Sequence, residues 1–258
     1  MCATAWKKWR CILKQSGWFK AWEVIYPIGI YFVVTNVAMI IMGMIWPMTN
    51  ENYMIQQIVA TVVTFPFVYS FYRKEDVGKT FVTFKAVLLV VATALAGLVF
   101  NNLIGYTSLK ETSQSYQELA EAFYGSSLIL EITGTCILIP ILEELLYRGI
   151  VFARLRSWLG LSSAVILSAV IFGAMHFNLV QFIYAGCIGA LLALVMEYAG
   201  LKVAIVAHML TNLISVLRSE TEVLNFLDAS RTVSISATVV LTVVILIMLW
   251  GVYGRKRK

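Results

Sequence analysis

A chain of 258 residues that is 60% hydrophobic and only 13% charged has too little charged surface to keep a large core in water, which excludes an ordinary soluble domain. Its net charge of +6 does not mark a nucleic-acid binder, because the basic residues gather between apolar runs and towards both ends, as juxtamembrane charges do. The class that remains is an all-α, polytopic transmembrane helical bundle, read as a single membrane-embedded domain over 1–258.

The basic N-terminal segment, residues 1–23, carries Lys7, Lys8, Arg10, Lys14 and Lys20 and is too broken to hold the apolar stretch of a signal peptide. Apolar runs follow at about 24–46, 53–72, 82–104, 126–150, 161–177, 180–198, 203–218 and 232–253, several of them reaching the roughly 20 residues a membrane-crossing helix needs. Basic residues recur in alternate connections: Arg73, Lys74, Lys79 and Lys85, then Arg154 and Arg156, then Lys202, then the closing "GRKRK". The positive-inside bias therefore predicts about eight spans with both termini cytoplasmic.

The connection over 105–125 is polar and partly helix-like, suited to a surface helix or a cover. "VFARLRSWLG" alternates apolar and basic residues and predicts a short interfacial helix after the fourth span. Ala185, Gly189 and Ala193 form a small-residue stripe that suits close helix packing and implies no chemistry. The cysteines, at 2, 11, 136 and 187, lack metal-ligand spacing and are read as free thiols.

Ionisable groups inside apolar spans cost about 2.5–3.5 kcal/mol each, so each one asks for a reason. The fourth span holds Glu131, Glu143, Glu144 and Arg148. Glu144 and Arg148 are one helical turn apart and can pair. Glu143 is rotated by about 100° and points towards neighbouring helices. Pro140 removes a backbone hydrogen bond and predicts a kink one turn before Glu143.

Both histidines of the chain also lie in apolar runs: His176 one turn after Phe172, and His208 one turn before Asn212. Glu143 and His176 could hold a water between them, the carboxylate as base and the imidazole as proton carrier. His208 and Asn212 could donate to a developing oxyanion, with Glu144 and Arg148 as support. That set makes a hydrolase without a Ser or Cys nucleophile. Two His and a Glu also suit zinc, although the spacing is not that of a zinc-protease helix. A proton relay uses similar residues, but no internal repeat supports a transporter.

"EELLYR", "FGAMH" and "HMLTN" occur in the order of the EExxxR, FxxxH and HxxxN motifs, and over about 126–218 the chain resembles the CAAX protease and bacteriocin-processing family, also called the Abi family. The resemblance implies an intramembrane glutamic endopeptidase related to the type II CAAX prenyl endopeptidase, with an eight-span fold. Glu143 would activate water with His176, while His208 and Asn212 would form the oxyanion side. Glu144, Arg148 and Phe172 would support them.

The catalytic cavity would open towards the cytoplasm, with no resident cofactor and zinc left open. A peptide or protein substrate follows: a prenylated C-terminus, a bacteriocin leader or a peptide-signal precursor. The remaining partners would be membrane lipids, and the place a bacterial cytoplasmic membrane. A non-catalytic immunity or scaffolding protein that binds a membrane peptide is the alternative, as is a metal-dependent protease using the same residues. The apolar edges leave one mismatch: Glu143 and His208 lie within about 10 residues of the inner surface, whereas His176 lies some 15 residues into its span.

Overall fold

Threonine, serine and asparagine side chains set several of the helix starts. In the computed structural model, which describes residues 16–47 and 49–253, Ser16, Thr49, Thr83 and Asn178 each accept a hydrogen bond from the backbone N–H three residues on. Such caps satisfy an orphan donor of the first turn. They open α1 (Gly17–Ile45), α2 (Asn50–Tyr72), α3 (Phe84–Gly105) and the later α7 (Leu179–Ala199). Between α3 and α7 lie α4 (Gln114–Phe123), α5 (Leu128–Trp158) and α6 (Leu161–Ala174). The chain then forms α8 (Leu201–Glu220) and α9 (Arg231–Tyr253). Cys2, Cys11, the basic segment before Ser16 and the closing GRKRK lie outside the described residues.

The described residues form an all-helical, multi-pass bundle. Six helices, α1, α2, α3, α7, α8 and α9, are long and apolar enough to cross a membrane. α5 joins α4 at a 108° bend and with it makes a seventh candidate, and α6 is a shorter apolar helix. Helix α3 is the hub, packed by α7, α8 and α9, and 61% of its most apolar window is buried against 6% for α1. The belt of Trp22, Ile25, Val33, Ile40, Val240 and Trp250 stays exposed, as lipid-facing side chains must.

Three expectations change here. First, α1 begins at Gly17 rather than about 24, because the Ser16 cap starts the helix before its first apolar turn. Second, "VFARLRSWLG" is no separate interfacial helix: α5 runs on to Trp158. Arg154 is buried there by Glu75 Oε1 at 2.6 Å and the Tyr26 hydroxyl at 3.2 Å, together with the Glu23 carbonyl. Third, the local feature at Pro140 is a π-wound stretch over Ile132–Leu138 directly before it, and α5 continues through the proline to Trp158.

The longer α5 also removes the depth mismatch, since Glu143 lies as far from Trp158 as His176 lies from Leu161. The α8 start is itself buried. Gly200 has φ +89 and sits against the Lys79 and Thr80 backbone, a conformation and a closeness that a Cβ would oppose.

Candidate active site

Two features of α5 position the motif residues. The π-wound turns on either side of Ile139–Leu146 change which face each carboxylate presents. Glu144 turns inward and is fully buried with Arg148 Nη1 at 2.8 Å. Glu143 faces a cavity of about 490 Å³ that His176, His208, Asn212 and Phe172 also line.

Glu144 serves two partners through one oxygen. Its Oε1 accepts from His208 Nδ1 at 2.8 Å while pairing with Arg148. Because a carboxylate only accepts, the His208 proton sits on Nδ1. Its Nε2 then faces Glu143 Oε2 at 3.7 Å. Neutral His208 is therefore an acceptor towards the cavity, and it becomes a donor there only as imidazolium, which sharpens its expected oxyanion role.

Arg148 is held from three sides. Besides Glu144 it donates to the Gly189 carbonyl at 3.2 Å, and its guanidinium stacks over the Phe172 ring at 4.4 Å. Gly189 belongs to the small-residue stripe, and a Cβ there would come within 2.9 Å of the Phe172 ring and 3.3 Å of Arg148 Nη2. The stripe thus does more than pack helices: its missing side chain makes room for the buried guanidinium.

Phe172 organises the rings. It meets His176, His208 and Tyr147 edge-on, at 5.1, 5.9 and 4.9 Å. His176 lies just past the end of α6, in the turn before α7, and its Nδ1 contacts the Phe172 carbonyl at 3.0 Å. A carbonyl cannot donate, so Nδ1 carries the hydrogen and Nε2 is left for the cavity. The next residue, Phe177, adopts φ +56 and is 70% exposed. A bulky residue in the left-handed region costs on the order of 1–3 kcal/mol, the kind of strain that collects at functional sites.

Asn212 is oriented by the π-helix. Ile139 N–H bonds the Gly134 carbonyl, five residues back. In that register the Thr135 carbonyl awaits a donor from position 140, which is proline and has none. Asn212 Nδ2 supplies it at 2.8 Å. One amide hydrogen of Asn212 remains for the cavity.

Spacing alone does not point to Thr135, Gly189 or the cavity-lining Tyr31. Only the proline, counted back by the π register rather than the α register, signals Thr135. Cys136 is buried and Cys187 half-buried, both as free thiols. Among the described residues no three His, Cys, Asp or Glu side chains are arranged to hold a metal ion.

The cavity lies at the end of the bundle opposite the start of α1 and the end of α9. Its lining includes Tyr53 near the start of α2, Asn101 near the end of α3, and Tyr116, Ala120 and Phe123 of α4.

Residues 125–214 match the family model described as Rce1-like, type II CAAX prenyl endopeptidase Rce1-like. A Bacillus subtilis (strain 168) protein described as "Putative membrane peptidase YdiL" is 27% identical over 148 residues, covering 56% of this chain and 58% of that protein. The chain thus spans a little over half the length of this relative. No solved structure matches it. The matched segment contains Glu143, Glu144, Arg148, Phe172, His176, His208 and Asn212: Glu144 and Arg148 form the buried ion pair, and the other five line the cavity. On these matches and motifs, the segment over 125–214 is similar to the type II CAAX prenyl endopeptidases of the Rce1-like family.

Proposed function

We propose that this protein is a membrane-embedded endopeptidase that hydrolyses a peptide bond with a water activated by Glu143 and His176. The observation that carries the reading is that Glu143, His176, His208 and Asn212 line one cavity, with Glu143 and His208 facing each other at 3.7 Å and each of the four with hydrogen-bonding capacity left over. Glu143 accepts the proton of the attacking water, and His176 Nε2 orients that water as acceptor. The proton then passes to the leaving amine. Asn212, and His208 once protonated, donate to the oxyanion. The Glu144–Arg148 pair holds His208 in its tautomer and performs no proton transfer itself.

In this reading the water needs no metal. Activity that departs with a stoichiometric metal on chelation would replace it with the metal-dependent alternative. The direct test is peptide cleavage by purified protein in detergent, with Glu143→Gln as control. Cleavage by the parent protein and none by Glu143→Gln is expected, and equal cleavage by both removes Glu143 from the chemistry.

A further inference from the structure

We propose that the substrate is a polar, unprenylated peptide segment presented from the extracytoplasmic face of the membrane. This inference rests on the peptidase reading above and specifies which substrates it admits.

The first argument is the placement of charge on the fold. The connections at the cavity end carry Lys110, Arg218 and Arg231 as their basic residues, out of 20 in the chain. Arg148 is buried, and the other sixteen flank the opposite helix ends in sequence. So strong a bias sets the basic end as cytoplasmic. The cavity end is then extracytoplasmic.

The second argument is the cover. Helix α4 turns Tyr116, Leu119, Ala120 and Phe123 towards the cavity, while Ser115, Gln117, Glu118 and Glu121 stay exposed. Positions i, i+3, i+4 and i+7 form one helix face. Phe123 packs edge-on against Tyr53 of α2 at 5.2 Å, and Ser126 ties the following turn to the Asn50 and Glu51 carbonyls. This roof places the route to the site on the extracytoplasmic side.

The third argument is the lining. Beyond the Glu143 wall the cavity presents Tyr53, Gln57, Asn101, Tyr116, Gln181 and Tyr184. They stand among apolar residues and are partly paired: Gln57 donates to the Tyr53 hydroxyl, Asn101 accepts from Lys110, Gln181 accepts from Asn178, and Tyr184 bonds Ser215. Each amide keeps a further donor or acceptor that a peptide backbone can meet, whereas an isoprenoid chain would shut that remaining capacity away from water without a partner, which is costly.

The test has two arms on the full-length protein. In the first, a variant with its four cysteines replaced and Ser115→Cys, on the exposed face of α4, is treated with a membrane-impermeant maleimide. Labelling in right-side-out vesicles is expected; labelling confined to inverted vesicles overturns the proposal. In the second, purified protein in detergent receives short soluble peptides and the same peptides farnesylated on a C-terminal cysteine, with Glu143→Gln as control. The unmodified peptides are expected to be cleaved with kcat/KM at least equal to that of the farnesylated ones. A preference for the farnesylated peptides above about tenfold, the smaller end of what a matched apolar pocket gives, overturns the substrate class. If no Glu143-dependent cleavage of either peptide occurs, the peptidase reading fails, and the labelling arm still decides the face.

Discussion

The two ends of this bundle treat charge in opposite ways. At the basic end, Arg154 is saturated by Glu75, Tyr26 and Glu23, and Arg156 grips both carboxylate oxygens of Glu197 at 3.1 Å. These bonds tie α5 to α1, to the α2–α3 connection and to α7. At the cavity end, Glu143, His176 and His208 are positioned by their neighbours but keep a face unspent. Saturated charges staple helices; partly satisfied charges in a cavity are available for chemistry. Between the two lies Glu144–Arg148, buried like the first kind and adjacent to the second.

The comparison can be broken at graded points. Glu143→Gln, which keeps shape and removes the base, should lower kcat by about 10²–10⁴-fold with little change in thermal melting. A fall in the melt as large as the fall in rate would make Glu143 a staple instead. Arg148→Ala leaves a buried carboxylate without its ion-pair partner and should cost about 3–5 kcal/mol. Fluorescence-detected size exclusion should then show a diminished folded peak, partly restored by Arg148→Lys.

Pro140→Ala returns an N–H to the helix and lets Thr135 find its partner within α5, releasing Asn212. We expect kcat to fall by about 10- to 100-fold, less than the loss of a whole oxyanion donor, with KM unchanged. Combined with Asn212→Ala the loss should not add further, as residues in one hydrogen-bond network couple; additive losses would disconnect proline from asparagine. Arg156→Gln is the smallest. Arg156 is a surface pair at the basic end, and its loss should stay within about 1 kcal/mol and leave cleavage unchanged.

Much of this was legible beforehand. The eight apolar runs correspond to helices whose ends differ mainly where a cap or a buried charge extends them. Glu143, Glu144, Arg148, His176, His208 and Asn212 stood out because each was costly in an apolar setting. Their partners were harder to see. Gly189 offers only a carbonyl and an absence, and Thr135 matters only because Pro140 lies five residues on in a π register. Neither leaves a mark in hydropathy or charge.

Sequence alone determined that this chain is a helical membrane protein, that its basic residues sit at one set of helix ends, and that a few polar groups in its spans needed a purpose. These properties follow from composition and local period, which act within single helices. Tertiary structure decided that Glu144 is shared by Arg148 and His208 through one oxygen, that π-winding turns Asn212 to Thr135, and that the cavity faces away from the basic end. Those depend on how helices rotate against one another, and rotation is set by packing across the bundle.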